Sequence, residues 1–282
     1  MTGKTLIDCH VHLAALSDGD NGCYISSNML KSPLFRFLLW KHQLSPSNPR
    51  EANRKYLDDL LSELRASRHV QKAVILGMDG VYDQNGRLNR EQTDFLISND
   101  YVLKTAQAHP EELLAGVSIN PQRRDAIDEV HRCADAGAAL VKVLPNAQQF
   151  NPADMRYKAF YRTLAERKLP FLSHVGYEFS LIGKDQSVGD PDRLRLALDE
   201  GATGREGSEE FTLGAMKQAW RSGAWRRETV WRRRFITATG AALLAIGLFG
   251  IAFTLGPPPI KAIVSVAMLY ACAMLARGLW RT

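Results

Sequence analysis

The chain has 282 residues, with 36 Lys/Arg against 30 Asp/Glu and a formal net charge of +6. Residues 204–282 hold 11 of the basic and 4 of the acidic groups, so the remainder balances 25 against 26 and offers no basic face for nucleic acid. Four scattered cysteines without CxxC spacing exclude a disulfide framework and point to a reducing compartment.

In chain order, MTGKTLIDCHVHL lacks a charged head ahead of a long apolar core, so no secretory leader is expected and the N-terminal domain is expected in the cytoplasm. Thr5–Cys9 is the first short apolar strand. The connection from Leu13 to about Asn53 is too long for a plain βα loop and mixes SDGDNGCYISSN with the apolar PLFRFLLW. Either a substrate-covering insertion or a wet surface excursion fits it. Leu57, Leu60, Leu61 and Leu64 then share one helical face. Strands follow at Gln71–Gly77, Leu113–Ile119, Ala139–Leu144 and Pro170–Ser173. Between the third and fourth, Ile127, Val130 and Ala134 mark a helix that ends at Gly137. Asp190-Pro191 supplies an N-cap and first turn for a last helix, closed at Gly201. Near-continuous apolar strands alternating with amphipathic helices are the pattern of parallel βα units, about five of them.

Where a sixth strand is due, a basic segment begins. Residues 204–235 place Trp220, Trp225 and Trp231 among arginines, as in a helix lying at a membrane surface. Ile236–Leu255 is a 20-residue run without a charge, long enough to span a hydrocarbon core. Gly256 and Pro257–Pro259 break it, and 260–276 forms a second apolar run whose one charge, Lys261, sits near its end. The reading is a transmembrane hairpin over 236–280 (spans 236–255 and 260–276). Arginines outside both spans put its ends in the cytoplasm, giving an integral membrane protein with membrane lipid as a partner.

The chemistry concentrates at Asp8-Cys9-His10-Val11-His12. Side chains at i and i+2 of a strand point the same way, so His10 and His12 can converge on one metal ion. Neutral imidazole suits zinc, iron and similar divalent ions. The pair stands at the C-terminal end of the first strand, the side on which barrel sites are built. Asp79, Asn120 and Asn146 each lie just past a strand end; they can line a pocket mouth or serve as turn residues. His42, His69, His109 and His131 fall in loops or on helices away from that side.

DCHVHL together with PFLSHVG and VKVLPNAQQFNPAD resembles the amidohydrolase superfamily over about residues 5–202. The likeness is greatest to its branch of decarboxylase- and hydrolase-type enzymes with a distorted TIM barrel. The resemblance implies that His10, His12 and the fifth-strand His174 are metal ligands for a divalent ion, zinc by preference. It implies a metal-activated water acting on a C–N, C–O or related bond of a small-molecule substrate. Lys142 stands where some members carry a carboxylated lysine; a lysine bonding within the pocket or bracing the strand is the other reading. Glu178 can touch substrate or solvate a loop. The family's strand-six histidine and strand-eight aspartate have no counterpart, because no histidine follows His174 and no aspartate follows Asp199. The expectation is therefore an incomplete (β/α) TIM-type barrel over 1–203, with catalytic residues unassigned and activity impaired by loss of strands six to eight. A second subunit completing the barrel would restore the wall. An inert truncated barrel and a membrane-anchored binding module are the alternatives.

Overall fold

The apolar runs in the middle of the series form strands covered on both faces, and the amphipathic stretches between them supply the cover. A computed structural model describes residues 6–178, 181, 183 and 185–202. The chain divides into two units, Met1–Trp220 and Arg221–Thr282, and every described residue belongs to the first. The segment 204–235 and the hairpin 236–280 lie outside the described residues. Among those described, no helix is long and apolar enough to cross a membrane.

Along the chain run β1 (Leu6–His12), β2 (Tyr24–Ile25), α1 (Ser27–Lys31), α2 (Pro33–Lys41), α3 (Pro49–Ala66), β3 (Val70–Leu76), β4 (Phe95–Leu96), α4 (Asn99–Ala108) and β5 (Leu113–Ser118). These are followed by α5 (Ala126–Asp135), β6 (Leu140–Val143), α6 (Pro145–Gln148), α7 (Lys158–Glu166), β7 (Phe171–Ser173) and α8 (Arg195–Asp199). The main sheet has the order β1-β3-β5-β6-β7 with every pairing parallel. Strands successive in this series are neighbours in space, with no reversal of order. A doubly wound sheet reverses part-way; uninterrupted order is that of a barrel wall. The result is a parallel half-barrel of TIM-barrel-like α/β fold, with β1 and β7 as its two edges among the described residues.

The core lies between the sheet and its helices. Ile75, Val117, Val141 and Val143 from the strands and Val130, Phe160, Tyr161 and Leu164 from α5 and α7 are buried together, each large apolar side chain contributing about 1.5–3 kcal/mol. Tyr161 is tolerated there because its hydroxyl donates to the Pro152 carbonyl at 3.0 Å. Strands β3 and β5 approach so closely at Gly116 that a Cβ there would lie 2.5 Å from Leu76 Cδ2. By contrast, β1 is solvent-accessible along its length, with a strand neighbour on one side only among the described residues.

Three expectations change in detail. β1 continues through His12, so the HxH pair is inside the strand rather than after it. In α5 the inward face centres on Ala126, Val130 and Cys133, leaving Ile127 outward. Asp190 does cap its neighbour, accepting from the Asp192 N–H at 2.9 Å. What it opens is a 3₁₀ turn, Pro191–Leu194, ahead of the short α8.

The long first connection is structured. Leu16, Ile25 and Ala52 form a small second core joined by Met29, Leu30, Phe35 and Leu44. Buried Asn53 holds its base, accepting from Leu16 N at 2.7 Å and donating to Leu16 O at 2.9 Å. An antiparallel ribbon, Tyr24↔Leu96 and Ile25↔Phe95, ties the insertion to the segment after β3.

Candidate metal centre

His10 and His12 are brought together by the two-residue period of β1: their Nε2 atoms stand 3.2 Å apart. The register shows how the strand is aimed. Between Asp8↔Ala73 and Val11↔Ile75, β1 carries one residue more than β3, a bulge at Cys9–His10 of the kind that re-aims side chains beside sites. Asp8 fixes it, its carboxylate accepting from the His10 N–H at 2.9 Å. At the other end, the Tyr56 hydroxyl donates to the His12 carbonyl at 2.9 Å.

His174 follows β7 and is held by its own N–H, which donates to the Val143 carbonyl at 2.9 Å. Its Nε2 is buried without a hydrogen-bond partner. A hydrogen bond with the Tyr177 backbone therefore engages the other ring nitrogen, which leaves Nε2 as a fixed, free lone pair. Lys142 on β6 is 2% exposed, and its ammonium makes no hydrogen bond or ion pair among the described residues.

Electrostatics link these groups. Burial lowers the pKa of His10, with the Lys142 ammonium adding to it and Asp8 opposing. Burial, then His10 and Lys142, brings His12 down to about 4, against Glu178. His174 is lowered by burial and Lys142, again against Glu178. Burial brings Lys142 itself down to about 8, with Glu178 opposing. Although His10 and His12 keep solvent access from the open side of the sheet, all three imidazoles are neutral near pH 7, the state that ligates metals.

This donor set fits a borderline divalent cation: three neutral imidazoles, two with adjacent Nε2 atoms and one with a buried lone pair. The gathering is incomplete. Among the described residues, no group of three or more His, Cys, Asp or Glu side chains is close enough to hold a metal ion. The pair sits on one edge strand and His174 at the other, and no strand among those described closes the ring between them.

The remaining candidates fall into two other groups. Asp79 is buried and saturated: it accepts from Asn120 N at 2.8 Å, Gly80 N at 2.8 Å and the Tyr82 hydroxyl at 2.9 Å, with Arg123 at 3.4 Å. Asn120 donates to the Gly80 and Gln148 carbonyls and accepts from Gln122 N. The two form a knot that ties the turns after β3 and β5 together. A cleft of about 370 Å³ opens beside it, lined by Asp79, Tyr82, Ser118, Arg123, Glu129 and Arg132 among others, and none of the three histidines borders it. Asn146 donates to Gly176 O and to Gln186, leaving its Oδ1 buried without a partner. Gln186 in turn brackets Glu178 through both backbone groups. Arg123 and Gln186 carry no sequence signal of these roles, since Arg123 acts on Asp79, 44 residues away, and Gln186 on Asn146, 40 residues away, and on Glu178 across an irregular loop. Asp8 does carry one: a carboxylate two residues before a bulged position is a local side-chain-to-backbone pattern.

A family model described as amidohydrolase matches residues 7–239. The chain belongs to the amidohydrolase family. Members of that family generally depend on a divalent metal. The match extends past residue 202 and takes in the whole basic segment 204–235. Similar solved structures include an uncharacterized TIM-barrel protein from Bordetella bronchiseptica, at 16% identity and a TM-score of 0.47, covering 70% of this chain and 64% of that one. A 2,6-dihydroxybenzoate decarboxylase from Rhizobium has 16% identity and a TM-score of 0.43, with coverages of 71% and 64%. A 5-carboxyvanillate decarboxylase from Novosphingobium aromaticivorans, with bound manganese, has 16% identity and a TM-score of 0.39, covering 72% and 56%. The chain thus spans less than two thirds of the length of these structures. No curated protein matches it.

Proposed function

We propose that this member of the amidohydrolase family is a metal-dependent hydrolase acting on a C–N, C–O or related bond of a small molecule, with His10, His12 and His174 holding one divalent cation, zinc on donor chemistry. The observation that carries this is the convergence of the His10 and His12 Nε2 atoms at 3.2 Å, together with the partnerless buried Nε2 of His174. A divalent ion supplies Lewis acidity and lowers the pKa of a bound water. The chain's own residues do the rest. Asp8 and the β1 bulge orient the imidazole pair. Lys142 offers a buried cation to negative charge that develops on a substrate oxygen. Glu178 balances that cation, and Asn146 Oδ1 offers an acceptor to a substrate N–H or O–H.

The same reading attaches the domain to a membrane by the hairpin over 236–280, with the domain on the cytoplasmic side. It assigns no nucleic-acid role, and it gives the open edges at β1 and β7 to a second subunit that completes the wall. A catalytically inert half-barrel, or a binding module, is the second reading; the ungathered ligand set favours it. The deciding experiment uses the full chain in mild detergent, supplied with Zn²⁺ or Mn²⁺, beside His10→Ala. Retained metal and hydrolysis of ester, lactone or amide probes, both lost in His10→Ala, support the hydrolase. Equal rates and equal metal content in the two proteins overturn it in favour of the inert fold.

A further inference from the structure

The outer face of α2 is apolar and exposed among the described residues. Leu34, Phe37 and Leu38 recur at i, i+3 and i+4 and are 59%, 53% and 42% exposed, with Trp40 at their flank 74% exposed. The Phe37 and Trp40 rings lie 5.8 Å apart, one continuous aromatic surface. The inner side of the same helix, Phe35 and Leu39, packs inward, so the outer residues are displayed by a fixed scaffold. Contiguous exposed apolar surface of this kind marks a contact site.

Charge identifies the occupant. From Asn21 to Arg50 the sequence contains no Asp or Glu, while Lys31, Arg36 and Lys41 are exposed around the apolar face and enter no ion pair among the described residues. A second copy docking on the same face would bring two helices of this acid-free stretch, each carrying Lys31, Arg36 and Lys41, together in an isologous contact, which like-charge repulsion opposes. The chain's own segment 204–235 has 8 Lys/Arg against 4 Asp/Glu and so offers these cations no complementary charge. An anionic lipid surface satisfies both features at once: Trp, Phe and Leu enter the headgroup boundary and the cations meet the lipid phosphates. We propose that α2 is a membrane-surface docking helix, selective for anionic lipid, which lays the insertion of the half-barrel against the bilayer. This stands on the described domain and rests neither on the hydrolase reading nor on the hairpin.

The test uses the full chain with Cys9→Ser and Cys272→Ser, leaving the buried Cys23 and Cys133, and an environment-sensitive label on Leu38→Cys. The protein is reconstituted into phosphatidylcholine vesicles with or without phosphatidylglycerol. Vesicle flotation and resistance to carbonate extraction report the hairpin separately. The expected result is a blue-shifted label quenched by a lipid-borne quencher, only when phosphatidylglycerol is present. Replacing Lys31, Arg36 and Lys41 by Gln should weaken this partitioning about fivefold per charge, about a hundredfold together. A label that stays water-exposed overturns the proposal, as does quenching that is the same in phosphatidylcholine alone. A label shielded from water but not quenched by lipid also overturns it, and shows that protein covers the face.

Discussion

Replacing Lys142 by Met tests whether the interior of the site holds an uncompensated charge. Lys142 lies in the middle of β6, 2% exposed, with its pKa brought down to about 8 from 10.5. The folded chain releases the proton near 8, whereas the unfolded chain keeps it to about 10.5. Between those values the unfolded state binds more protons, so stability rises with pH through the window and is lowest below about 8. The difference corresponds to about 3 kcal/mol at about 1.4 kcal/mol per unit, and burial this deep leaves little solvent screening to discount. Met has similar length, no charge and a flexible stem that fills the same space. In metal-free protein at pH 7, Lys142→Met should therefore be more stable by about 1–3 kcal/mol, relaxation of the site absorbing part of the full value. The gain should vanish as pH approaches 10.5. Pulse proteolysis of the full chain across urea, on both proteins at each pH, gives the difference directly and cancels every other titrating group. A variant less stable at pH 7, with an unchanged pH slope, would refute the reasoning and show the ammonium to be well paired.

Three further outcomes follow from the same geometry. Asp79→Ala strips the acceptor from four donors, Asn120 N, Gly80 N, the Tyr82 hydroxyl and the Arg123 guanidinium, and should cost about 3–5 kcal/mol by the same proteolysis assay; a loss under 1 kcal/mol would mean that water replaces the carboxylate. Asp8→Ala frees the bulge at an exposed position, so stability should fall by less than about 1 kcal/mol while Zn²⁺ affinity drops about tenfold; unchanged affinity in a calorimetric titration would remove Asp8 from the site. Alkaline carbonate should leave the full chain in the membrane pellet and release a chain lacking residues 204–282, and extraction of the full chain would sink the hairpin.

The central strands were legible because a strand covered on both faces must be a short unbroken apolar run, and QKAVILG and ALVKVL are little else. The HxH pair was legible because the period of a strand is two. The bulge that aims the pair was not, since an extra residue in β1 appears only against its partner β3. The insertion resisted reading for a related reason: two-residue strands such as Tyr24–Ile25 have no period, and PLFRFLLW is apolar around most of its circumference. Asp79 and Asn120 looked like pocket-mouth or turn residues, and their mutual knot depends on turns after two different strands meeting in space. For His174, the sequence supplied the position, while the free Nε2 depends on what the Tyr177 backbone does to the ring.

The β2–β4 ribbon has a mechanical consequence. Ser26 binds Asp94 through its backbone at 2.8 Å and its side chain at 3.0 Å, Ser98 donates to Asn21 O at 2.5 Å, and Ile97 bridges to Met78 immediately before Asp79. The insertion, its base closed on Leu16 by Asn53, is thus latched on two sides, to β1 where the Tyr56 hydroxyl of α3 donates to the His12 carbonyl, and to the rim of β3 through the ribbon. It cannot swing as a hinged arm. Any load on α2 must either break these latches together or travel, as a rigid lever, to the rim of the half-barrel.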